Sequence, residues 1–407
     1  MQLTRRQAEA IALKDNPRIS TAHLLALAQH QTVRETRSTE LPTASGDVTA
    51  VEANDGSRIS AGTLTASRLL EHVGFGVQFN QLITDFGRTH NLVVSSELEE
   101  KSQQANAEAT REQIVLTTDF AFYNALEAQA TLNIAKQTIH ARQDVADQVS
   151  ELTKNKLKST LDLSFAEVNL SQAKLLQIQA QNDYDSAIAS LAAVMGSDQQ
   201  VRYELVDDTS QMVAPPESSE SMIALAMQQR PDLQSLQLKH EAAQKYTRAQ
   251  QDQLLPSINA MGTVGKTSIG SSQYFTTDWY GAVGANLNIP IFNGFRYTAE
   301  SSEANLQAKA AAERVRDLQN QIARDVRTAW LQANTAYQKV TVTQELLRQA
   351  NLSLDLAQTR YRLGLSSIVE LSQAQLQQTE AAISDANARY QYQFSCSSLD
   401  FQTGVHP

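Results

Sequence analysis

From Gly74 the chain alternates residue by residue. Phe75, Val77, Phe79 and Ile83 fall on one side of an extended backbone, and Gly74, Gly76, Gln78 and Asn80 on the other. A second stretch repeats the alternation, with Trp279, Val283, Ala285, Leu287 and Ile289 against Tyr280, Gly284, Asn286 and Asn288. A period of two marks both as strands. Weaker alternation follows each of two Leu-Pro dipeptides, through Ala44, Gly46, Val48 and Ala50 and through Ile258, Ala260, Gly262 and Val264. The pattern predicts four strands of roughly ten residues, paired as two hairpins. Their loops, over 52–67 and 266–278, are rich in Gly, Ser, Asn, Asp and Thr.

The rest of the chain is helical in period. Nothing breaks the pattern from Arg88 to Asn155, or from Tyr297 to Gly364. Each stretch predicts a helix of roughly 65 residues, about 100 Å long at the α-helical rise. Leu318, Ile322, Val326, Ala329, Ala333, Tyr337 and Val340 step by fours and threes, a coiled-coil seam in which alanine permits close approach. Shorter return helices run from Leu161 toward Met195 and from Ile368 toward Leu399.

These elements come in the same order twice. Asn16-Pro17 is echoed by Arg230-Pro231 and Leu41-Pro42 by Leu255-Pro256, an offset of 214; thereafter Arg88 and Arg296, Phe122 and Trp330, Tyr184 and Tyr392, and Gly196 and Gly404 keep an offset of 208. Units this long are not solenoid repeats. The expected organisation is a first copy over 1–212, a polar linker over 213–220 and a second copy over 221–407. Each copy is a strand hairpin joined to a long helical hairpin, so the fold class is mainly α with a small β part.

Composition removes several function classes. Only 15 Gly and 8 Pro occur in 407 residues, which suits long helices with few turns. A net charge of -10, with no basic cluster beside aromatics, argues against nucleic acid. The single cysteine, Cys396, excludes an intrachain disulfide and reads as a packing residue. The seven histidines, at 23, 30, 72, 90, 140, 240 and 406, show no metal-ligand spacing. No Ser/His/Asp set or phosphate-cradling glycine loop is found, so no catalysis and no cofactor are expected. No run of 18 apolar residues exists to form a transmembrane helix. Met1 to Arg6 enters an amphipathic helix directly, which predicts either a cytosolic chain or one whose leader has been removed.

The strands bear on that choice. Small polar residues on one face and aromatic or branched residues on the other suit a strand with lipid outside and water inside. The alternative is a soluble coiled-coil scaffold without a pore, its small sheet covering a helix. Four strands cannot close a membrane barrel, which needs at least eight, and open edges in lipid leave backbone groups unpaired. Strands in a membrane would therefore require several chains.

The repeated order, the Asn-Pro near the start, the Leu-Pro before each first strand, the stretch Leu287 to Gly294 (LNIPIFNG) and the stretch beginning at Tyr361 (YRLGLSSIVELS) resemble the TolC family of outer-membrane efflux proteins. The resemblance covers essentially the whole chain. It implies a homotrimer in which four strands per chain contribute to a shared twelve-stranded outer-membrane β-barrel, and long helical hairpins form a periplasmic tunnel closed at its far tip. The expected partners are a periplasmic adaptor (membrane fusion) protein, an inner-membrane pump of RND, ABC or MFS type, and outer-membrane lipid. The implied role is a passive exit duct for small molecules or secreted proteins, with a tip gate opened by the adaptor.

The same resemblance assigns residues. Glu370 would line the pore constriction, with Gln373 where a second acidic residue is usual. Tyr361 would donate a hydrogen bond to Asp162 as a tip latch, and Ser366 stands where a basic latch residue is found. The turn of Gly364, Leu365 and Ser366 would meet the adaptor. Its first-copy counterpart is Lys156, Leu157 and Lys158, where lysine replaces the glycine. Phe75, Val77, Phe79, Trp279, Val283 and Leu287 form the expected lipid-facing strand surface. Tyr274, Trp279 and Tyr280 are candidates for an interfacial aromatic belt.

Overall fold

The computed structural model describes the chain apart from residues 1, 53–57, 62–63, 69–70, 198–202, 208–211, 217, 271–275 and 406–407. In chain order its first half contains β1 (Gln2–Leu3), α1 (Arg5–Asp15), α2 (Pro17–Ser38), β2 (Thr43–Val51), β3 (Arg58–Ala61), β4 (Leu64–Arg68), β5 (Glu71–Thr84), α3 (Arg88–Lys154), α4 (Thr160–Val194) and β6 (Glu204–Leu205). The second half contains α5 (Glu220–Gln229), α6 (Pro231–Asp252), β7 (Ser257–Gly270), β8 (Thr276–Asn288), α7 (Arg296–Arg362) and α8 (Ile368–Thr403). Two compact units result. A sheet unit takes in Leu25–Gln104 and Ser235–Val315, and a helical unit takes in Met1–Leu24, Ala105–Gln234 and Arg316–Pro407.

In the sheet unit the strands run in the order β2-β5-β7-β8, antiparallel throughout. The two expected hairpins are present, and the β5/β7 pairing joins one half of the sequence to the other. Residues directly opposite in an antiparallel ladder share a face. The register sets Val48 opposite Phe75, Phe75 opposite Lys266, and Lys266 opposite Trp279. It likewise aligns Gly46, Val77, Val264 and Gly281, then Ala44, Phe79, Gly262 and Val283. One face is thus apolar almost throughout; the other carries Ser45, Asp47, Gln78, Asn80, Thr263 and Asn286. Beside the sheet, Ser95 Oγ donates to Ala242 O at 2.9 Å and Ser102 Oγ to Ser235 O at 2.9 Å, fastening α3 to α6.

Three local expectations are corrected. The segment 266–278, expected as loop, is largely ladder, because β7 continues to Gly270 and β8 begins at Thr276. Small polar residues look like loop in sequence, yet strand pairing needs only their backbone groups. The first loop, 52–67, holds the short antiparallel pair β3/β4. At the start of the chain, Gln2–Leu3 pairs in parallel with Glu204–Leu205, and α1 begins only after Thr4, which closes a capping box with Gln7.

In the helical unit the return helices pack on the long ones through alanine. The expected seam is buried at Ile322, Val326, Ala329, Ala333 and Val340, while Leu318 and Tyr337 are half-buried. Another core gathers Leu3, Ala8, Phe122, Leu126, Leu191 and Met195. Cys396 is half-buried against the cluster of Ala336, Val340, Ala388 and Tyr392, as its packing role requires.

The repeat is visible in the joints. Helices α3 and α7 both have 67 residues. Asn16 Nδ2 donates to Val194 O at 2.7 Å, and the corresponding Arg230 Nη1 donates to Gln402 Oε1 at 2.7 Å and Gln402 O at 3.4 Å. Each ties the residue before a proline to the end of the return helix in its own copy. Gly196 packs so closely there that a Cβ would lie 2.5 Å from Asp15 O.

Candidate functional site: the helix turns and the two-faced sheet

Both long helices of the helical unit end in the same device. Lys156 N donates to Thr153 O at 2.9 Å and Leu157 N to Leu152 O at 2.8 Å; Gly364 N donates to Tyr361 O at 3.1 Å and Leu365 N to Arg360 O at 2.8 Å. This paired pattern is the Schellman motif, which satisfies the last helical carbonyls by placing one residue in the left-handed region. Gly364 does so at φ 72, and Lys156 is held in the same conformation at φ 60. The lysine therefore does not alter the first turn; it adds backbone strain, since a Cβ disfavours that region. Leu157 and Leu365 project from the two turns, 71% and 66% exposed.

The return helices start on serine caps. Ser159 Oγ accepts from Asp162 N at 3.1 Å, while Asp162 Oδ2 accepts from Ser159 N at 3.2 Å and from Ser159 Oγ at 3.0 Å. Ser367 Oγ accepts from Glu370 N at 3.3 Å. Glu370, the counterpart of Asp162, instead directs its carboxylate to Arg360 Nε at 3.1 Å. The expected constriction residue is thus half-exposed and ion-paired across its own turn; Gln373 is exposed one turn further on.

The expected hydrogen bond from Tyr361 to Asp162 is not formed. Asp162 is occupied by its own helix cap, and the buried Tyr361 hydroxyl has no partner among the described residues. Burial, aided by the charge of Asp162, raises the Tyr361 phenol above its usual range. Its ring packs with Ala146, Val149, Ala166, Leu170, Ile368 and Leu371, and Lys158 Nζ sits 4.5 Å from its centroid. A cation over an aromatic face in a half-buried setting contributes about 0.5–2 kcal/mol. Asn169 Nδ2 donates to Ser372 Oγ at 2.6 Å, a further tie, here between α4 and α8. Ser366 Oγ is buried without a partner and takes no part in these ties.

Sequence reasoning missed Arg360, Lys158 as a ring partner, and the Asn169/Ser372 pair. The Arg360/Glu370 pair had a usable signal, opposite charges flanking a glycine turn. The other two depend on how one hairpin registers against the next.

In the sheet unit the six expected surface residues, Phe75, Val77, Phe79, Trp279, Val283 and Leu287, lie on the apolar face and are all exposed, Val283 by 93%. Phe75 and Trp279 meet edge to face at 6.0 Å. No helix covers this face among the described residues, contrary to what a soluble scaffold requires. The aromatic belt needs correction: Tyr280 follows Trp279 and so points to the opposite face, where its hydroxyl lies over Gly76 and Gly265. Tyr274 lies outside the described residues. Strands β2 and β8 are the edges of the four-stranded sheet. Among the described residues no helix is long and apolar enough to cross a membrane, and no cluster could hold a metal ion.

Comparison with known proteins agrees with this architecture. The outer membrane efflux protein family matches twice, over residues 10–197 and 222–405. The outer membrane protein TolC of Vibrio cholerae serotype O1 is 22% identical over 342 residues, spanning 82% of this chain and 77% of that protein. Among solved structures, the transmembrane channel protein CusC superposes with a TM-score of 0.86 at 19% identity, covering 99% of this chain and 92% of its own. The outer membrane protein VceC of Vibrio cholerae gives a TM-score of 0.84 at 17% identity, covering 98% and 96%.

Proposed function

Because the chain belongs to the outer membrane efflux protein family, we propose that it is the passive exit duct of a tripartite export system, its tip opened by an adaptor protein. Its place is the outer membrane, with a large helical portion in the periplasm. The observation that carries the mechanism is the bare apolar face of a sheet with two open edges. In lipid, β2 and β8 must find partners, because each unpaired backbone group costs several kcal/mol. Pairing β8 of one copy with β2 of the next closes a barrel; three copies supply twelve strands, with Phe75, Val77, Phe79, Trp279, Val283 and Leu287 toward lipid. The repeat units are 1–212 and 221–407, joined by 213–220.

The turns at Lys156–Leu157–Lys158 and Gly364–Leu365–Ser366 receive the adaptor, and energy comes from an inner-membrane pump of RND, ABC or MFS type. Three copies of Glu370, with Gln373 beside each, line the constriction and favour cations over anions. Arg360 offsets part of that charge. Cargo, whether small molecules or secreted proteins, is selected by the pump.

Single-channel conductance in a planar lipid bilayer tests this reading. Small cation-preferring steps that enlarge in Glu370→Ala are expected. Folded protein that neither inserts nor conducts would overturn the duct in favour of a soluble scaffold.

A further inference from the structure

One charged residue stands on the apolar face of the sheet. Lys266 in β7 lies opposite Phe75 of β5 on one side and Trp279 of β8 on the other. From that rung to Leu287 every other register position on the face is uncharged; the next charged one outward, Glu71, stands opposite Gly270, two rungs nearer the hairpin ends. The two rings close over the lysine. Strands β5 and β8 are separated by β7, so their backbones run about 9.5 Å apart, yet the Phe75 and Trp279 rings meet edge to face at 6.0 Å. They reach one another only across the Lys266 position. Lys266 is accordingly half-buried on a face where Phe75 and Trp279 are 50% and 68% exposed, and its ammonium emerges without an ion pair or hydrogen bond to any described residue.

Depth decides what such a cation meets. Taking about 3.4 Å per residue and a tilt of about 40°, the face rises about 20 Å from Leu287 to Trp279. That is most of the lipid-facing band of an outer-membrane barrel, which is about 25 Å tall. A lysine in the middle of that band is costly and one at its edge nearly free, and tryptophan settles at the same headgroup level. Leu287 lies at the end of the sheet that leads into α7, and Lys266 at the hairpin end. With the helices in the periplasm, the Lys266 rung belongs to the outer leaflet.

We propose that Lys266, framed by Phe75 and Trp279, binds a phosphate of an outer-leaflet lipid headgroup. The inference rests on the reading of the sheet as part of an outer-membrane barrel. The rings hold the lysine stem among the acyl chains, and the ammonium snorkels to the headgroup level. There a lipid phosphate supplies the counter-charge that no described residue provides, and the contact fixes how deep the sheet sits in the membrane.

The test titrates the full chain in detergent with lipid A, an acylated disaccharide bearing phosphates, and counts bound lipid by native mass spectrometry. The parent is expected to half-saturate at about five-fold lower lipid A than Lys266→Gln, with Lys266→Arg close to the parent. Lipid A stripped of its phosphates should bind the parent and Lys266→Gln alike. Insertion into phosphatidylcholine vesicles and single-channel steps are measured on the same preparations. Protein that inserts and conducts, yet retains lipid A equally with lysine or glutamine, would overturn the lipid site and leave the duct standing. Protein that does not insert would overturn the duct and the site with it. Inorganic phosphate that displaces the lipid from the parent would make Lys266 a free-anion contact and overturn the lipid assignment.

Discussion

Lys158 holds its ammonium 4.5 Å from the centroid of the Tyr361 ring, fastening the turn after α3 to the end of α7. The contact uses the ring and leaves the buried hydroxyl unpartnered. Tyr361→Phe is therefore expected to leave channel opening unchanged and to unfold at the same or slightly higher denaturant, by up to about 1 kcal/mol. Lys158→Gln should raise the open fraction several-fold, given roughly 1 kcal/mol for the contact. Bilayer recordings of both variants decide it; a Phe variant that opens readily would restore the hydroxyl as the latch.

The left-handed positions separate strain from crowding. Gly364 has nothing within 4 Å of where a Cβ would stand, so Gly364→Ala should cost only the conformational penalty, about 1 kcal/mol. Gly196→Ala adds a clash with Asp15 O and should cost well over twice that. Lys156→Gly relieves the strain at φ 60 and should stabilise by about 0.5–1 kcal/mol. Urea unfolding of the three variants gives the ranking directly.

Acidity should help the helical unit. Burial, with Asp119 alongside, pushes the Glu9 carboxyl up to about 7 against the pull of Arg5, and burial with Asp232 nearby takes Glu112 up to about 7. Folded pKa values above the unfolded ones mean the native state binds these protons more tightly. The stabilisation is full below about pH 4.3, the unfolded value, and is lost as pH rises through 7. Partial solvation limits the loss to about 1–2 kcal/mol per group. Melting temperature should fall from pH 5 to pH 8, and Glu9→Gln should flatten the slope; an upward slope would contradict the assignment.

The two faces of β8 should respond oppositely to charge. Val283→Arg places a cation on the apolar face and should reduce recovery in the outer-membrane fraction, at a cost of about 2–4 kcal/mol if the site is near mid-bilayer. Ala282→Arg, on the other face, should insert normally. Equal loss in both would mean the sheet is not oriented toward lipid as proposed.

The long helices were legible to within a residue or two because their limits are chemical. A Schellman turn on Lys156 or Gly364 ends them, and Ser159 and Ser367 restart them. The strands were legible where aromatic and branched residues alternate, and illegible past Val264, where Thr and Ser carry the ladder without a hydrophobic signal. The latch was misread although the clue was local: Ser159-x-x-Asp162 is a capping-box sequence, and a carboxylate committed to its own helix is not free for a distant phenol.

The change of offset from 214 to 208 says which lengths this protein is free to alter. The first copy carries six additional residues, all between Leu41-Pro42 and Arg88, the stretch that holds β3 and β4. From Arg88 and Arg296 onward, helix starts, turns and caps correspond one for one. An insertion between the strands is absorbed locally. One inside α3 would carry its turn past its counterpart unless α7 lengthened by the same number, so indels in the two helices should survive only in matched pairs, while the loop between β2 and β5 is open to evolve alone.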